Sequence, residues 1–343
     1  MPRTATINVS GDLLWHNSLW RSAELDARRT GAKKLDFVPQ LASLTEYVTQ
    51  ADLAICHSEV PFAPANGPYQ NYPLFAAPQE IAPAIKATGW DLCTTASNHT
   101  MDQGWEGLVR TIEVHHTADI LTAGSYATEE AARTPVIYTT DGGVKVAVIS
   151  QTYGLNGISK AKGKEWSVEL LNAELAVEQA KAAKAAGADI VAVHIHAGDE
   201  YSRKINAQQA AYAQAVTAAP EVDVLFGQHA HVVQPITKVN NKWVVYGAGN
   251  LIAASGPAKP HTYDGYMAQI TFTEESPGKF VATAAEYAPT YITRHSGGSP
   301  ARVYLIPDAL KAGTGPAAEM QKSAARTRET VYSLGADGLT ERQ

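Results

Sequence analysis

The chain has 343 residues, 45% of them apolar, 18% charged and 8% aromatic, a balance that lets it bury a sizeable core. Its formal net charge of −6, with no basic patch, excludes the electrostatic footprint of a nucleic-acid binder. No linker-like or low-complexity stretch divides it, so one large catalytic domain over residues 1–312 is expected, followed by a helical tail, 313–343, on its surface.

Only MPRTA precedes the first strand-like run, TINVS, and no uninterrupted apolar run reaches transmembrane length. A cytoplasmic protein without a membrane partner is the expectation. Cys56 and Cys93 each sit inside an apolar stretch, which fits small buried thiols in a reducing compartment better than a disulfide framework.

Thr4 to Val9 reads as a strand that delivers Asp12 just after Gly11, with Trp15, His16 and Trp20 in the loop beyond. Leu53 to Ser58 is a second apolar strand, ending at Glu59. The following stretch, PFAPANGPYQNYPLFAAP, is an ordered loop rich in Pro, Gly and aromatics. Pro78 to Thr88 reads as a helix, and a short strand, Leu92 to Thr95, leads to Asn98, His99 and Asp102. A further helix runs from about Gly104 to His116, for which Asp102 is a natural cap.

Val136 to Thr139 and Val144 to Ser150 flank Asp-Gly-Gly as a hairpin. The Ala-rich helix Asn172 to Ala186 closes at Gly187 and leads into the strand Ile190 to Ile195, followed by His196. Asn206 to Ala218 is the next helix. The run from Val222 to Phe226 stops at GQHAH, where His229 and His231, at i and i+2 of extended backbone, share one face. Later strands are Ile236 to Val239, Trp243 to Tyr246, Tyr266 to Thr273, Phe280 to Ala288 and Arg302 to Ile306. Strands alternating with helices predict an α/β layered fold, in which ligands bind beyond the carboxyl ends of strands.

Asp12, Glu59, Asn98, His196, His229 and His231 all fall at such ends. Carboxylate, amide oxygen and imidazole together suit a hard or borderline divalent cation, whether Ca, Mn, Mg or Zn, better than a thiolate metal. No organic cofactor is called for. His194 precedes its strand terminus and reads as a buried, hydrogen-bonded residue, while His57, His115, His116 and His261 read as structural or surface positions.

Six segments carry a resemblance: GDLLWH (11–16), SEVPF (58–62), ASNHTMDQG (96–104), HAGDEY (196–201), GQHAH (227–231) and VVYGAGNLI (244–252). In this set and order the chain resembles the CapA-like branch of the calcineurin-like metallophosphoesterases, proteins associated with poly-γ-glutamate capsule synthesis. The resemblance implies a four-layer α/β/β/α sandwich, metal ligands at Asp12, Glu59, Asn98, His196, His229 and His231, and His99 as a non-ligand acid. The chain departs from the wider pattern in three ways. His16 lies four residues after Asp12 instead of two, Glu59 replaces a bridging aspartate, and Ala197 replaces a tryptophan. One ion or two is left open.

Two reactions suit such a site. Phosphoester hydrolysis uses a metal to polarise phosphoryl oxygens and to activate water. Proton removal and return at a carbon α to a carbonyl needs acid and base groups on two faces, for which His99 with Asp102, and His295 with Asp12, are the candidate pairs. Resemblance to CapA-like proteins of peptide natural-product pathways implies the second: epimerisation at a Cα, expected at a C-terminal aromatic residue, of a ribosomal precursor peptide such as a lasso precursor. Trp15, Trp20, Tyr69, Tyr72 and Phe75 are then candidates to grip the apolar end of that peptide substrate.

Overall fold

The computed structural model describes residues 2–256 and 258–343. Its strands are β1 (Thr4–Leu13), β2 (Leu53–Ser58), β3 (Leu92–Thr94), β4 (Leu121–Ala123), β5 (Ile137–Thr139), β6 (Lys145–Thr152), β7 (Ile190–His196), β8 (Val224–Gln228), β9 (Ile236–Val239), β10 (Lys242–Val245), β11 (Asn250–Ile252), β12 (Asp264–Ser276), β13 (Lys279–Ile292), β14 (Val303–Leu305) and β15 (Leu339–Glu341). They form two sheets. The larger, nine-stranded sheet follows the order β14-β13-β12-β1-β2-β3-β4, with β11 also paired to β1 and β15 to β13, and the six-stranded sheet follows β5-β6-β7-β8-β10-β9.

Alternation along the strands decides how the sheets stack. On β1, Ala5, Ile7 and Val9 point the same way and pack against Val146, Val148, Ala192, Val224 and Phe226 of the other sheet, so one core lies between the two. The outer face of the larger sheet is covered by helices Asn17–Thr30 and Ile81–Thr88, through Leu19, Ala23, Ile81 and Ile85. The outer face of the smaller sheet carries helices Ala173–Ala185 and Ala207–Ala218, through Ala176, Ala180, Tyr212 and Val216. Helix, sheet, sheet and helix make the expected four-layer α/β sandwich. Parallel pairing of β1 with β2, β2 with β3, β6 with β7 and β7 with β8 brings the carboxyl ends of these strands to one rim.

Several sequence expectations change in three dimensions. Asp12 lies inside β1 instead of beyond it, because β11 adds to the strand end and pairs Asp12 with Asn250. The approach is close enough that a Cβ on Gly11 would come within 2.2 Å of the Gly249 carbonyl oxygen, so glycine is required there. The segment expected as a loop after Trp15 winds into the helix Asn17–Thr30. The tail does more than lie on the surface: its helix, Ala317–Val331, buries Met320 and Val331, and β15 pairs with β13. Cys56 and Cys93 are buried as expected, but they are joined in a disulfide, since β2–β3 register sets them directly opposite each other with Cα atoms 4.5 Å apart.

Candidate metal centre

The two sheets deliver different chemistry to the shared rim. From the larger come Asp12, Glu59 at the first position past β2, and Asn98 in the turn after β3. The smaller gives His196, the last residue of β7, and His229 and His231 just past β8. All six are buried.

Each is held by local backbone chemistry. The Thr95 to Thr100 turn is tied by Thr100 Oγ1 donating to the Thr95 carbonyl at 2.7 Å, and Ser97 Oγ donates to the Glu59 carbonyl at 2.5 Å, which couples Asn98 to the end of β2. His229 and His231 reach the rim differently from the predicted alternation of a strand. Their φ angles are +105° and +56°, so the chain leaves extended geometry immediately after Gln228. Such conformations cost on the order of 1–3 kcal/mol each and persist where the surroundings over-determine them. Here the Ala197 amide donates to the Gln228 carbonyl and the Tyr201 amide to the Ala230 carbonyl.

The donor atoms converge. His231 Nδ1 lies 3.1 Å from Asp12 Oδ2 and 3.0 Å from Asn250 Oδ1, and its Nε2 is 3.5 Å from Glu59 Oε1. His196 Nε2 lies 2.8 Å from Asn98 Oδ1, 3.1 Å from His229 Nδ1 and 4.0 Å from Glu59 Oε1. Asp12 Oδ1 and both Glu59 carboxyl oxygens are buried with no hydrogen-bond partner. Buried carboxylate oxygens left bare are costly, and a cation is the partner that suits them. Ligand atoms of Asp12, Glu59 and His231 lie within 4.8 Å of one another, as do those of Asp12, His57 and His196, and of Glu200, His229 and His231. Oxygen-rich, imidazole-containing and free of sulfur, the set fits a divalent cation.

Burial holds His196 and His57 well below the ordinary imidazole range, reinforced by neighbouring imidazoles, and His229 down to about 3. These rings are therefore neutral, as ligation requires. His231 goes the other way. Burial would lower it, but the charges of Glu59 and Asp12 outweigh that and raise it to about 10.

Beside the cluster, His99 Nδ1 sits 2.7 Å from Asp102 Oδ2, which also accepts the Phe75 amide at 2.8 Å. Asp102 thus orients His99 and does not cap the following helix, whose first flanking residue, Gln103, makes no side-chain cap. Phe75 stands edge-on to His99 at 4.8 Å and to His16 at 5.5 Å.

The other predicted residues part ways. His295 does not pair with Asp12: its Nδ1 is 3.0 Å from Ser22 Oγ on the helix after His16, while His231 takes the Asp12 carboxylate. Trp15 is fully buried against Phe37 at 5.2 Å, a core residue with no surface to offer a substrate. Trp20 is half-buried, donates its indole N–H to the Trp15 carbonyl and packs on Tyr69, while Tyr72 is 72% exposed. His194 is buried, with Nδ1 2.7 Å from Ser150 Oγ.

Sequence reasoning passed over several neighbours. His57 touches His196, Asn250 touches His231, and Tyr153 lays its ring 4.5 Å from His229. Asn250 ends the VVYGAGN segment and His57 directly precedes Ser58-Glu59, so both had a signal in their position beside motifs.

The model of the bacterial capsule synthesis protein family PGA_cap matches residues 6–255, well over half of the chain. The chain belongs to the PGA_cap family. This PGA_cap protein is 28% identical over 184 residues to the capsule biosynthesis protein CapA of Bacillus anthracis, covering 53% of this chain and 44% of that one. It is also 28% identical over 207 residues to the PGA biosynthesis protein CapA of Bacillus subtilis (strain 168), covering 60% and 53%. The chain therefore matches about half the length of these relatives. Among solved structures it is similar to the calcineurin-like phosphoesterase YfkN of Bacillus subtilis, with a TM-score of 0.54 at 16% identity over 96% of this chain and 98% of that one. A 5'-nucleotidase precursor of Thermus thermophilus superposes with a TM-score of 0.50 at 14% identity, covering 96% and 59%. The PGA_cap protein thus has the calcineurin-like phosphoesterase fold. Among the described residues no helix is long and apolar enough to cross a membrane.

Proposed function

We propose that this protein is a metal-dependent acid/base epimerase that inverts the Cα of a residue, a C-terminal aromatic, in a ribosomal precursor peptide of the lasso type. The observation that carries this reading is that two imidazoles, His99 and His16, edge against one phenyl wall, Phe75, beside the cation-binding donors. Inversion needs one group to take the Cα proton and another to return one from the opposite face, and two separately held imidazoles supply that pair.

Asp102 accepts from His99 Nδ1 and leaves Nε2 as the atom that exchanges a proton with substrate. At His16 the Nδ1 atom has both an acceptor, the Leu14 carbonyl at 3.1 Å, and a donor, the Ala254 amide at 3.1 Å. With its Nδ1–H donated to the Leu14 carbonyl, the ring keeps a lone pair on Nε2 that takes a proton and, as imidazolium, returns one. Burial keeps the ring neutral, lowering its pKa to about 4. His16 takes the role first assigned to His295. A divalent ion held by Asp12, Glu59, Asn98, His196, His229 and His231 would supply positive charge against the developing enolate oxygen. Phe75 is buried and serves as the wall between the two imidazoles, while the exposed Tyr72, edge-on to it at 6.4 Å, offers apolar contact to an aromatic peptide end.

The test is incubation of the Mn²⁺-loaded protein with precursor peptides in D₂O. One deuteron at the Cα of the final residue, with the D-configured product on chiral hydrolysate analysis, is expected. Rapid turnover of a chromogenic phosphodiester under the same conditions, with no deuterium uptake, would instead establish a phosphoesterase. Inertness in both assays with recovery in the membrane fraction would point to a part in capsule synthesis.

A further inference from the structure

The cation site has a support that lies outside the six motif segments. His57 lies directly opposite Thr94 on the adjacent strand, and its Nδ1 is 2.9 Å from Thr94 Oγ1. Its other nitrogen, Nε2, is 2.9 Å from His196 Nδ1. Both ring nitrogens are engaged, and the ring is completely buried. Although His57 shares a cluster with Asp12 and His196, it keeps no free lone pair with which to ligate.

We infer that His57 is a positioning residue that fixes the proton of His196 on Nδ1 and so reserves His196 Nε2 as a bare donor for the cation. The direction of the chain of hydrogen bonds follows from its end. Thr94 Oγ1 donates its only proton to the Cys56 carbonyl, at 3.3 Å, and a carbonyl can only accept. Thr94 Oγ1 is then the acceptor from His57 Nδ1–H. The neutral His57 ring has a lone pair left on Nε2, which accepts from His196 Nδ1–H. His196 Nε2 is thereby unprotonated, yet it faces Asn98 Oδ1 at 2.8 Å, a second lone pair. Asn98 is fixed with that oxygen inward, because its Nδ2 donates to Asn156 Oδ1 at 3.2 Å. Two lone pairs at that separation repel; a cation against both relieves them, and without an ion His196 Nε2 has only His229 Nδ1, at 3.1 Å, to turn to. The relay therefore sets His196 for ligation before any ion arrives, as outer hydrogen bonds do for metal-bound histidines generally.

This inference rests on the cation reading and is independent of the peptide chemistry, since its readouts need no substrate. Long-range ¹⁵N–¹H spectra of metal-free protein labelled at histidine, with the His196 signals identified through His196→Gln, are expected to show Nδ1 protonated and Nε2 bare. Zn²⁺ affinity, measured by competition with a chelating dye, is expected to fall roughly 10–100-fold in Thr94→Val and in His57→Leu. Thr94→Ser and His57→Gln, which restore the acceptors, are expected to recover most of it. A proton on His196 Nε2, or equal Zn²⁺ affinity in Thr94→Val and Thr94→Ser, would overturn the assignment. The protonation pattern is read on the unmodified sequence and the affinities on four other variants, so the failure of one variant to fold leaves the other readout intact.

Discussion

The two sheets meet at one rim but bring unlike partners to it. The nine-stranded sheet supplies Asp12, Glu59 and Asn98, all oxygen donors, and leaves Asp12 Oδ1 and both Glu59 oxygens bare. The six-stranded sheet supplies His196, His229 and His231, each already within hydrogen-bond distance of a polar neighbour. The oxygen side thus holds carboxylate oxygens without hydrogen bonds, and burial raises Glu59 well above the usual carboxylate range, while the nitrogen side is geometrically fixed. Binding an ion relieves the first and uses the preorganisation of the second.

Glu59→Gln should break this division most completely. It removes a carboxylate that faces the cation site and, without an ion, only the His231 ring, so metal affinity is expected to fall more than about 100-fold, beyond the roughly 10–100-fold cost of losing a supporting partner. The metal-free variant should at the same time melt lower than its parent near neutral pH, because the protonated His231 loses a charge partner. Calorimetric titration with Mn²⁺ and thermal melts check both, and a variant that binds as the parent does would contradict the placement of the cation against Glu59.

His99→Gln sharpens the comparison by leaving both donor sets in place. Deuterium exchange at the peptide Cα is expected to drop by roughly 10²–10⁴-fold, the usual worth of a positioned acid/base group, with Mn²⁺ affinity unchanged. His16→Gln should do the same and His295→Gln should not, which the D₂O assay resolves by mass.

pH separates the two sides in a third way. His231 stands above its unfolded value of about 6.5. It is raised to about 10 by Glu59 and Asp12 against its own burial. Its proton stabilises the metal-free fold fully below about pH 6.5, and that contribution is lost as pH rises through the folded value. An arriving ion must displace this proton. Apparent affinity should therefore climb by about tenfold per pH unit across that window, with about one proton released, measured by titration in buffers of different ionisation enthalpy.

The smallest effect is expected at the mouth. Tyr72→Ala should raise the peptide KM a few-fold and leave kcat alone, since 72% of that residue is exposed. Trp15→Ala, by contrast, should cost about 3–5 kcal/mol of stability in a denaturation experiment, as a core deletion does.

Fold class was legible because strand and helix periodicities alternate cleanly: the hairpin of β5 and β6 and the helices Gly104–Thr117, Ala173–Ala185 and Ala207–Ala218 lie where patterning puts them. The helix after His16 was missed because Trp15 and Trp20 read as loop aromatics, whereas Leu19 and Ala23 form the stripe it buries. The cysteine pairing was hidden because only strand register brings residues 37 positions apart into opposition.

What the sequence determined by itself is the inventory of the rim: apolar runs fix where strands end, and the polar residues that follow them fix which atoms arrive there. What only the tertiary structure decided is who faces whom. His57 becomes the partner of His196, His231 takes Asp12 from His295, and Phe75 comes between His99 and His16, since such pairings depend on register between strands and on left-handed turns at His229 and His231. Local patterning sets the direction of each strand, but the contacts at its end are set by neighbours far away in the chain.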